Sequence, residues 1–220
     1  MEYFARDITD KIRYPFKYFD LFDGIKAYNY YRSGKGTDLT INYDKAYYQD
    51  ENIRKAVDAQ IAEVQKAAEE LYKLSGQNSF KITGQLVTIG GDFYTYPVTE
   101  NWQKTLGSHA IWISADVSVD ENGQFNMVTT VHAIDRYNFN RGDYDIASGT
   151  PDEINGRFAE LGWAKPFNTV GQIEREVTWA GEDIPDTTTI INPNLNNPIY
   201  LFRRLFWVPA DNFRSIRDRD

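Results

Sequence analysis

Two runs of alternating apolar and polar residues, 110–119 and 124–134, constrain the fold of this chain most strongly. They are joined by Asp120-Glu-Asn-Gly123, and two such runs around this kind of turn predict a β-hairpin. A three-residue loop with Gly123 in the left-handed conformation places Asp120 opposite Gln124. That register collects the apolar residues of both strands on one face, whereas a two-residue Asn-Gly turn would pair mismatched residues. We therefore expect an antiparallel sheet built around this hairpin.

The same register has a consequence at the open end of the hairpin. Trp112 comes opposite His132, and His109 comes opposite Asp135, so both histidines of the protein lie near this end. A carboxylate that orients a histidine provides acid–base catalysis or an arm of a metal site. The alternative for His109 and Asp135 is a structural hydrogen bond at the end of a sheet. For Trp112 and His132 we expect cross-strand packing.

The remaining pattern adds helices to this sheet. Apolar residues recur at spacings of three and four over residues 51–74, which predicts one long amphipathic helix capped by Asp50 and ended by Gly76. A segment around Pro15 predicts a short N-terminal helix. The predicted fold class is therefore α+β, a mostly antiparallel sheet with one long amphipathic helix and short N-terminal helices.

We expect a single domain over residues 1–220. Its first part, 1–76, is mainly helical, and its second part, 77–180, forms the antiparallel sheet. The final part, 181–220, begins with a long stretch rich in proline, asparagine and threonine and ends in an apolar segment. A chain of 220 residues is long enough to bury a substantial core.

Composition excludes several classes of function. The formal charge is −8 and the isoelectric point is near 4.9, so a nucleic-acid partner is not expected. The absence of cysteine rules out disulfides, thiolate metal sites and cysteine nucleophiles. No apolar run has the length of a membrane helix, and the N-terminus lacks a signal-peptide core. A protein of this kind that works outside its cell is expected to be delivered by other means.

The segment 132–167 is the candidate active loop, because it leaves a predicted strand and is crowded with Asp, Asn, Arg, Tyr and Gly. Asp143 and Asp145 are candidate ligands of a divalent cation, Mg²⁺ or Ca²⁺. The spacing after Asp143 does not fit an EF-hand loop, and solvated turn acids are the alternative. Arg157, in Asn155-Gly-Arg, either binds an anionic substrate group or anchors the loop to the fold.

The run Asp135-Arg-Tyr-Asn-Phe-Asn140, continuing through Asp145–Asp152 to Asn155-Gly-Arg-Phe158 and Gly162–Lys165, resembles a segment in C-terminal domains of bacterial polymorphic toxins. This resemblance covers about residues 105–180. It implies an antibacterial effector domain that a carrier or secretion machine delivers.

The same run is distantly similar to colicin M-like bacteriocins, which cleave a lipid-linked peptidoglycan precursor in the periplasm. Their motif is Asp-x-Tyr-Asp followed five residues later by His-Arg. Asp135 and Tyr137 match it, Asn138 replaces the second aspartate, and Tyr144-Asp145 stand in the His-Arg places. Arg141 or His109 would then have to supply the missing groups in space.

Together these features predict a toxin-like effector domain that acts on the cell envelope. They leave open whether it is an enzyme, and hydrolysis of an envelope substrate is the candidate reaction. The candidate catalytic residues are His109, Asp135 and Tyr137, and the candidate substrate-binding residues are Asn138, Arg141 and Arg157. The expected partners are an immunity protein, a secretion carrier and an envelope component. The alternative is a non-catalytic module that binds the envelope or builds a secreted or phage-like particle, and a flat aromatic face instead of a pocket of titratable groups would favour it.

Overall fold

A computed structural model describes residues 21–145 and 149–181 of the chain. Its helices are α1 (Phe22–Arg32), α2 (Tyr43–Gln49), α3 (Glu51–Ser75), α4 (Glu100–Thr105) and α5 (Glu153–Glu160). Its strands are β1 (Leu39–Thr40), β2 (Ser79–Thr83), β3 (Val87–Ile89), β4 (His109–Val119), β5 (Gln124–Tyr137) and β6 (Phe167–Ala180). The short helix predicted near Pro15 and the segment after Gly181 lie outside the described residues.

The sheet is mixed, which corrects the prediction of a mostly antiparallel one. Its strand order is β1-β6-β5-β4-β2, and β3 pairs with β4. Strand β2 runs antiparallel to β4, with Phe80 opposite Val117, but β1 runs parallel to β6, with Leu39 opposite Thr169. A strand of two residues is too short to show any periodicity, so no pattern predicted β1.

The hairpin has the predicted register. Gly123 adopts a φ of 78°, and the Asp120 N–H donates to the Gln124 carbonyl at 2.9 Å. Trp112 stacks on His132 with ring centroids 4.9 Å apart, as the pairing requires. The apolar residues of both strands are buried on one face: Ile111, Ile113, Ala115, Val117, Val119, Phe125, Met127, Val131 and Ala133.

The start of α3 is set by a buried carboxylate. Asp50 is fully buried and accepts the N–H groups of Asn52 and Ile53, both at 3.1 Å. It also accepts the N–H and the hydroxyl of Thr99 at 2.8 and 2.7 Å. The predicted N-cap is therefore correct, and the same carboxylate joins α3 to the segment before α4. The sequence predicted a helix over about residues 51–74, and α3 spans Glu51–Ser75.

Chain contacts divide the protein into two compact units. The first unit contains, among described residues, 21–55, Thr88–Ala110 and most of Ala133–Gln172, and it holds the whole candidate site. The second unit contains, among described residues, Ala56–Val87, Ile111–His132 and 173–181. In the second unit Trp179 donates to Glu69 at 3.0 Å and stacks on Phe125 at 4.9 Å. None of the helices within 21–145 and 149–181 has both the length and the apolar content needed to cross a bilayer.

Candidate functional site

Asp135 lies near the end of β5, on the face that carries the core residues of that strand. Its backbone carbonyl accepts a hydrogen bond from the hydroxyl of the fully buried Thr169 on β6. Burial raises the pKa of the Asp135 carboxyl to about 8, and the Arg136 N–H and guanidinium oppose this only in part. No described side chain donates a hydrogen bond to this carboxylate. Asp135 is therefore a largely protonated carboxylic acid at neutral pH.

Tyr137 extends the same face one step further along β5. Its ring stacks on Phe167 with centroids 4.9 Å apart, and its hydroxyl makes no hydrogen bond to the described residues. Burial raises the pKa of Tyr137, and Tyr28, Asp135, Tyr31 and Asp145 raise it further by charge repulsion. These groups are thus close enough to act on one another, and the phenol stays neutral.

Two tyrosines of α1 complete an aromatic cluster that the sequence did not reveal. Tyr31 is fully buried, with its ring 6.1 Å from Tyr137 and 5.1 Å from Phe139. Its hydroxyl donates to the Asn155 carbonyl, and the Tyr28 hydroxyl donates to Asn155 Oδ1, both at 3.0 Å. No spacing in the sequence connects α1 with α5. The richness of residues 3–32 in aromatics was the one available signal.

The loop after β5 is joined to α4 by an ion pair. Lys104 Nζ donates to Asp145 Oδ2 at 2.7 Å, and both side chains are mostly buried, with 30% and 23% of their surface exposed. Lys104 also lies 3.6 Å from Glu100. This lysine was missed because a lysine on a short helix has no distinguishing pattern. Its partner Asp145 is one of the groups that raise the pKa of Tyr137.

His109 was predicted to pair with Asp135, but in the structure its ring nitrogens contact other residues. His109 is 2% exposed, Tyr43 Oη lies 2.8 Å from its Nε2, and the Gly107 carbonyl lies 3.1 Å from its Nδ1. Burial lowers the pKa of His109 to about 4, so the ring is neutral at pH 7. With Nδ1 donating to Gly107, Nε2 accepts from Tyr43. The expected hydrogen bond to Asp135 is replaced by these two contacts.

The predicted substrate-binding residues are exposed and dispersed. Arg141 pairs with Glu160 at 2.9 Å on the surface, and Asn138 donates to Asn140. Arg157 is exposed on α5. No described contact joins any of them to Asp135 or Tyr137.

The predicted cation ligands, Asp143 and Asp145, both make contacts within the protein. Asp145 is taken up by Lys104, while the backbone carbonyl of Asp143 accepts the Asp152 N–H at 3.0 Å. Partial burial raises the pKa of Asp152, and the nearby Asp143, Asp145 and Glu153 add to this effect. Within 21–145 and 149–181, no three acidic or histidine side chains are arranged to hold a metal ion.

The other histidine lies in the second unit. His132 Nε2 is 2.8 Å from the Ser114 hydroxyl, and the ring stacks on Trp112. Partial burial lowers the pKa of His132. This is the cross-strand packing that the hairpin register predicts.

No family model matches the sequence, and no curated protein matches it. Among solved structures, the chain is similar to PaeM, a colicin M-like bacteriocin produced by Pseudomonas aeruginosa, with a TM-score of 0.42 and 15% identity over 73% of this chain and 52% of that one. It is also similar to the truncated bacteriocin syringacin M from Pseudomonas syringae pv. tomato DC3000, with a TM-score of 0.37 and 14% identity over 74% of this chain and 62% of that one. Pectocin M2 gives a TM-score of 0.33 and 14% identity over 82% of this chain and 62% of its own. The chain thus spans between 52% and 62% of the length of these proteins.

Proposed function

We propose that this chain is an antibacterial, toxin-like domain that acts on the cell envelope, with Asp135 as its acid–base group. The observation that carries this proposal is the environment of that carboxyl group. Asp135 is largely desolvated among tyrosines and receives no side-chain hydrogen bond from the described residues. Its burial raises the pKa of the carboxyl to about 8. Burying a carboxyl group without a strong partner costs stability, and such groups concentrate at functional sites.

The chemistry that suits this group is hydrolysis. Water attacks the substrate while the bond to the leaving oxygen breaks, and protonated Asp135 gives its proton to that oxygen. The carboxylate then takes a proton from the attacking water, which restores the acid. The free hydroxyl of Tyr137 can donate a hydrogen bond to the substrate. In this proposal Lys104, which is paired with Asp145, exchanges that carboxylate for an anionic group of the substrate.

The substrate class follows from the resemblance to colicin M-like bacteriocins in the Asp135-x-Tyr137 motif. It is a lipid-linked peptidoglycan precursor, whose phosphates need a cation. Since Tyr144-Asp145 replace His-Arg, Lys104 takes the place of the arginine in this proposal. Delivery by a carrier or secretion machine and protection of the producer by an immunity protein belong to the same proposal.

The proposal is tested by exporting the full chain to the periplasm of a sensitive bacterium. We expect the wild type to stop growth, and Asp135→Asn to be harmless at an equal protein level. Asp116→Asn, at an exposed aspartate paired with Lys81, is the matched control and stays toxic. Purified protein incubated with the lipid-linked precursor should release its soluble headgroup, and Asp135→Asn should not. Full toxicity of Asp135→Asn would refute the assignment.

A further inference from the structure

Helix α5 turns its small and polar side toward the protein. Asn155 accepts hydrogen bonds from Tyr28 and Tyr31, as described above. A Cβ atom on Gly156 would lie 2.8 Å from the Phe139 carbonyl oxygen, so this residue sits directly against the backbone after β5. On this side, α5 therefore contacts the protein through an amide and a glycine.

The outward side of the same helix is apolar. Ile154, Phe158 and Leu161 recur at spacings of four and three, which aligns them along one face. Ile154 is 47% exposed, Leu161 50% and the following Trp163 61%. Phe158 is half-buried, with the Arg32 guanidinium 4.1 Å from the centroid of its ring and the Trp163 ring 6.2 Å away, so it forms the inner edge of this face. We call these four residues the apolar stripe. A helix that shows its apolar face to solvent is the reverse of the usual arrangement and marks an interaction surface.

The charged side chains beside the apolar stripe differ in whether they have a partner. The acids of α5 have partners, since Glu160 pairs with Arg141 at 2.9 Å and Glu153 accepts the Gly142 N–H at 3.3 Å. Arg157, one residue before Phe158, and Lys165, two residues after Trp163, are both exposed. Within the described part of the chain, neither of these cations makes a hydrogen bond or an ion pair through its side chain. Arg157 and Lys165 are therefore cations near the stripe without an ion-pair partner among the described residues.

We propose that the apolar stripe, with Arg157 and Lys165, docks on a membrane surface that carries anionic phospholipid headgroups. Aliphatic residues and a tryptophan on one face, flanked by cations, are the composition of a helix that lies in the bilayer interface. A stable protein–protein interface uses roughly 20–30 residues a side, far more than this stripe, whereas a few inserted side chains and cations suffice for reversible membrane binding.

This docking goes beyond the proposed function, because lipid binding requires no turnover. It also has a geometric consequence for the candidate site. The inner side of α5 is bonded to Tyr28 and Tyr31, so a membrane under the stripe lies one helix away from the aromatic cluster. A lipid-linked substrate would reach the site without leaving the bilayer.

The test is sedimentation of the full chain with unilamellar vesicles of phosphatidylcholine containing increasing fractions of phosphatidylglycerol. We expect binding that rises with the anionic fraction. Ile154→Ser/Leu161→Ser/Trp163→Ser should lower the partition coefficient roughly tenfold or more. Arg157→Gln/Lys165→Gln should lower it about fivefold per cation at low salt, and this difference should vanish at high salt.

Two matched variants separate docking from folding and from catalysis. Leu74→Ser removes an apolar side chain that is 78% exposed at the end of α3, and it should bind vesicles like the wild type. Asp135→Asn should also bind vesicles like the wild type, so the docking is tested separately from the proposed hydrolysis. Absence of vesicle binding by the wild type, or unchanged binding by the triple variant, would overturn the proposal. Sedimentation velocity showing a wild-type dimer that the triple variant dissociates would assign the stripe to a second copy instead.

Discussion

Replacing Asp135 by asparagine is expected to make the protein more stable at neutral pH while removing its proposed activity. The pKa of this carboxyl is about 8 in the folded protein and near 3.8 when it is free in solution. Because the folded value is the higher one, the folded protein binds more protons than the unfolded chain between these pH values. The stability that this group contributes is complete below pH 3.8 and is lost as pH rises through 8.

Each unit of pKa difference corresponds to about 1.4 kcal/mol, so about three units between pH 3.8 and pH 7 amount to on the order of 4 kcal/mol. Partial contact of Asp135 with solvent and the unpaired amide of asparagine reduce the net gain. We therefore expect Asp135→Asn to be roughly 2–4 kcal/mol more stable than the wild type at pH 7–8, with the difference shrinking toward pH 4. Other titrating groups cancel because they are common to both proteins.

The assay is urea unfolding of both proteins at half-unit intervals from pH 4.5 to 8. The reasoning requires a difference in the free energy of unfolding that grows with pH. For a protein of this size it corresponds to a rise in melting temperature of roughly 4–16 °C at pH 8. A difference that is independent of pH, or a variant less stable than the wild type at pH 8, would show that Asp135 is not a desolvated acid.

Three further predictions concern residues around this site. His109 has a pKa near 4 in the folded protein and near 6.5 in the unfolded chain. Its contribution to stability is therefore complete above pH 6.5 and is lost toward pH 4, about 3 kcal/mol in total. His109→Gln should remove this dependence of the free energy of unfolding on pH, as measured by urea unfolding. Gly156→Ala should cost about 1–3 kcal/mol through the contact with the Phe139 carbonyl, whereas Gly84→Ala, whose nearest atom is 3.5 Å away, should cost clearly less in the same thermal melts. Lys104→Met should release Asp145 and speed tryptic cleavage after Arg141 severalfold, an effect that Lys55→Met, at an exposed ion pair with Glu51, should not have.

The hairpin could be predicted in detail because turn chemistry and burial select the same register. Gly123 specifies the loop, and a shift of one residue would move every apolar side chain of β4 to the other face. The same logic fails for β1, where two residues carry no periodicity. It also fails after Ile89, where the alternating residues of 92–98 form only the single bridge between Ile89 and Tyr94.

The candidate site was predictable only where it is continuous in sequence. Asp135 and Tyr137 stand two residues apart on one strand, so their common face follows from period two. The partners of Tyr137 come from α1, from β6 and from the loop after β5, more than 100 residues apart at the extremes, as Tyr31 and Phe167 are. No single-sequence pattern encodes such contacts. The predicted histidine partner failed for a related reason, since Tyr43 reaches His109 from a helix 66 positions earlier.

Asp145 and Asp135, the two carboxylates that act on Tyr137, differ in what they contribute to the stability of the fold. Asp145 is held by Lys104 and secures the loop to α4, so its charge is balanced and it contributes to the fold. Asp135 occupies a core-facing position where an apolar residue would be more stable, and among the described residues Arg136 compensates for its burial only in part. When neighbouring acids have such different surroundings, the one kept protonated at neutral pH is the group able to donate a proton. The stability gained by Asp135→Asn and the activity lost by it would therefore be two measurements of the same property.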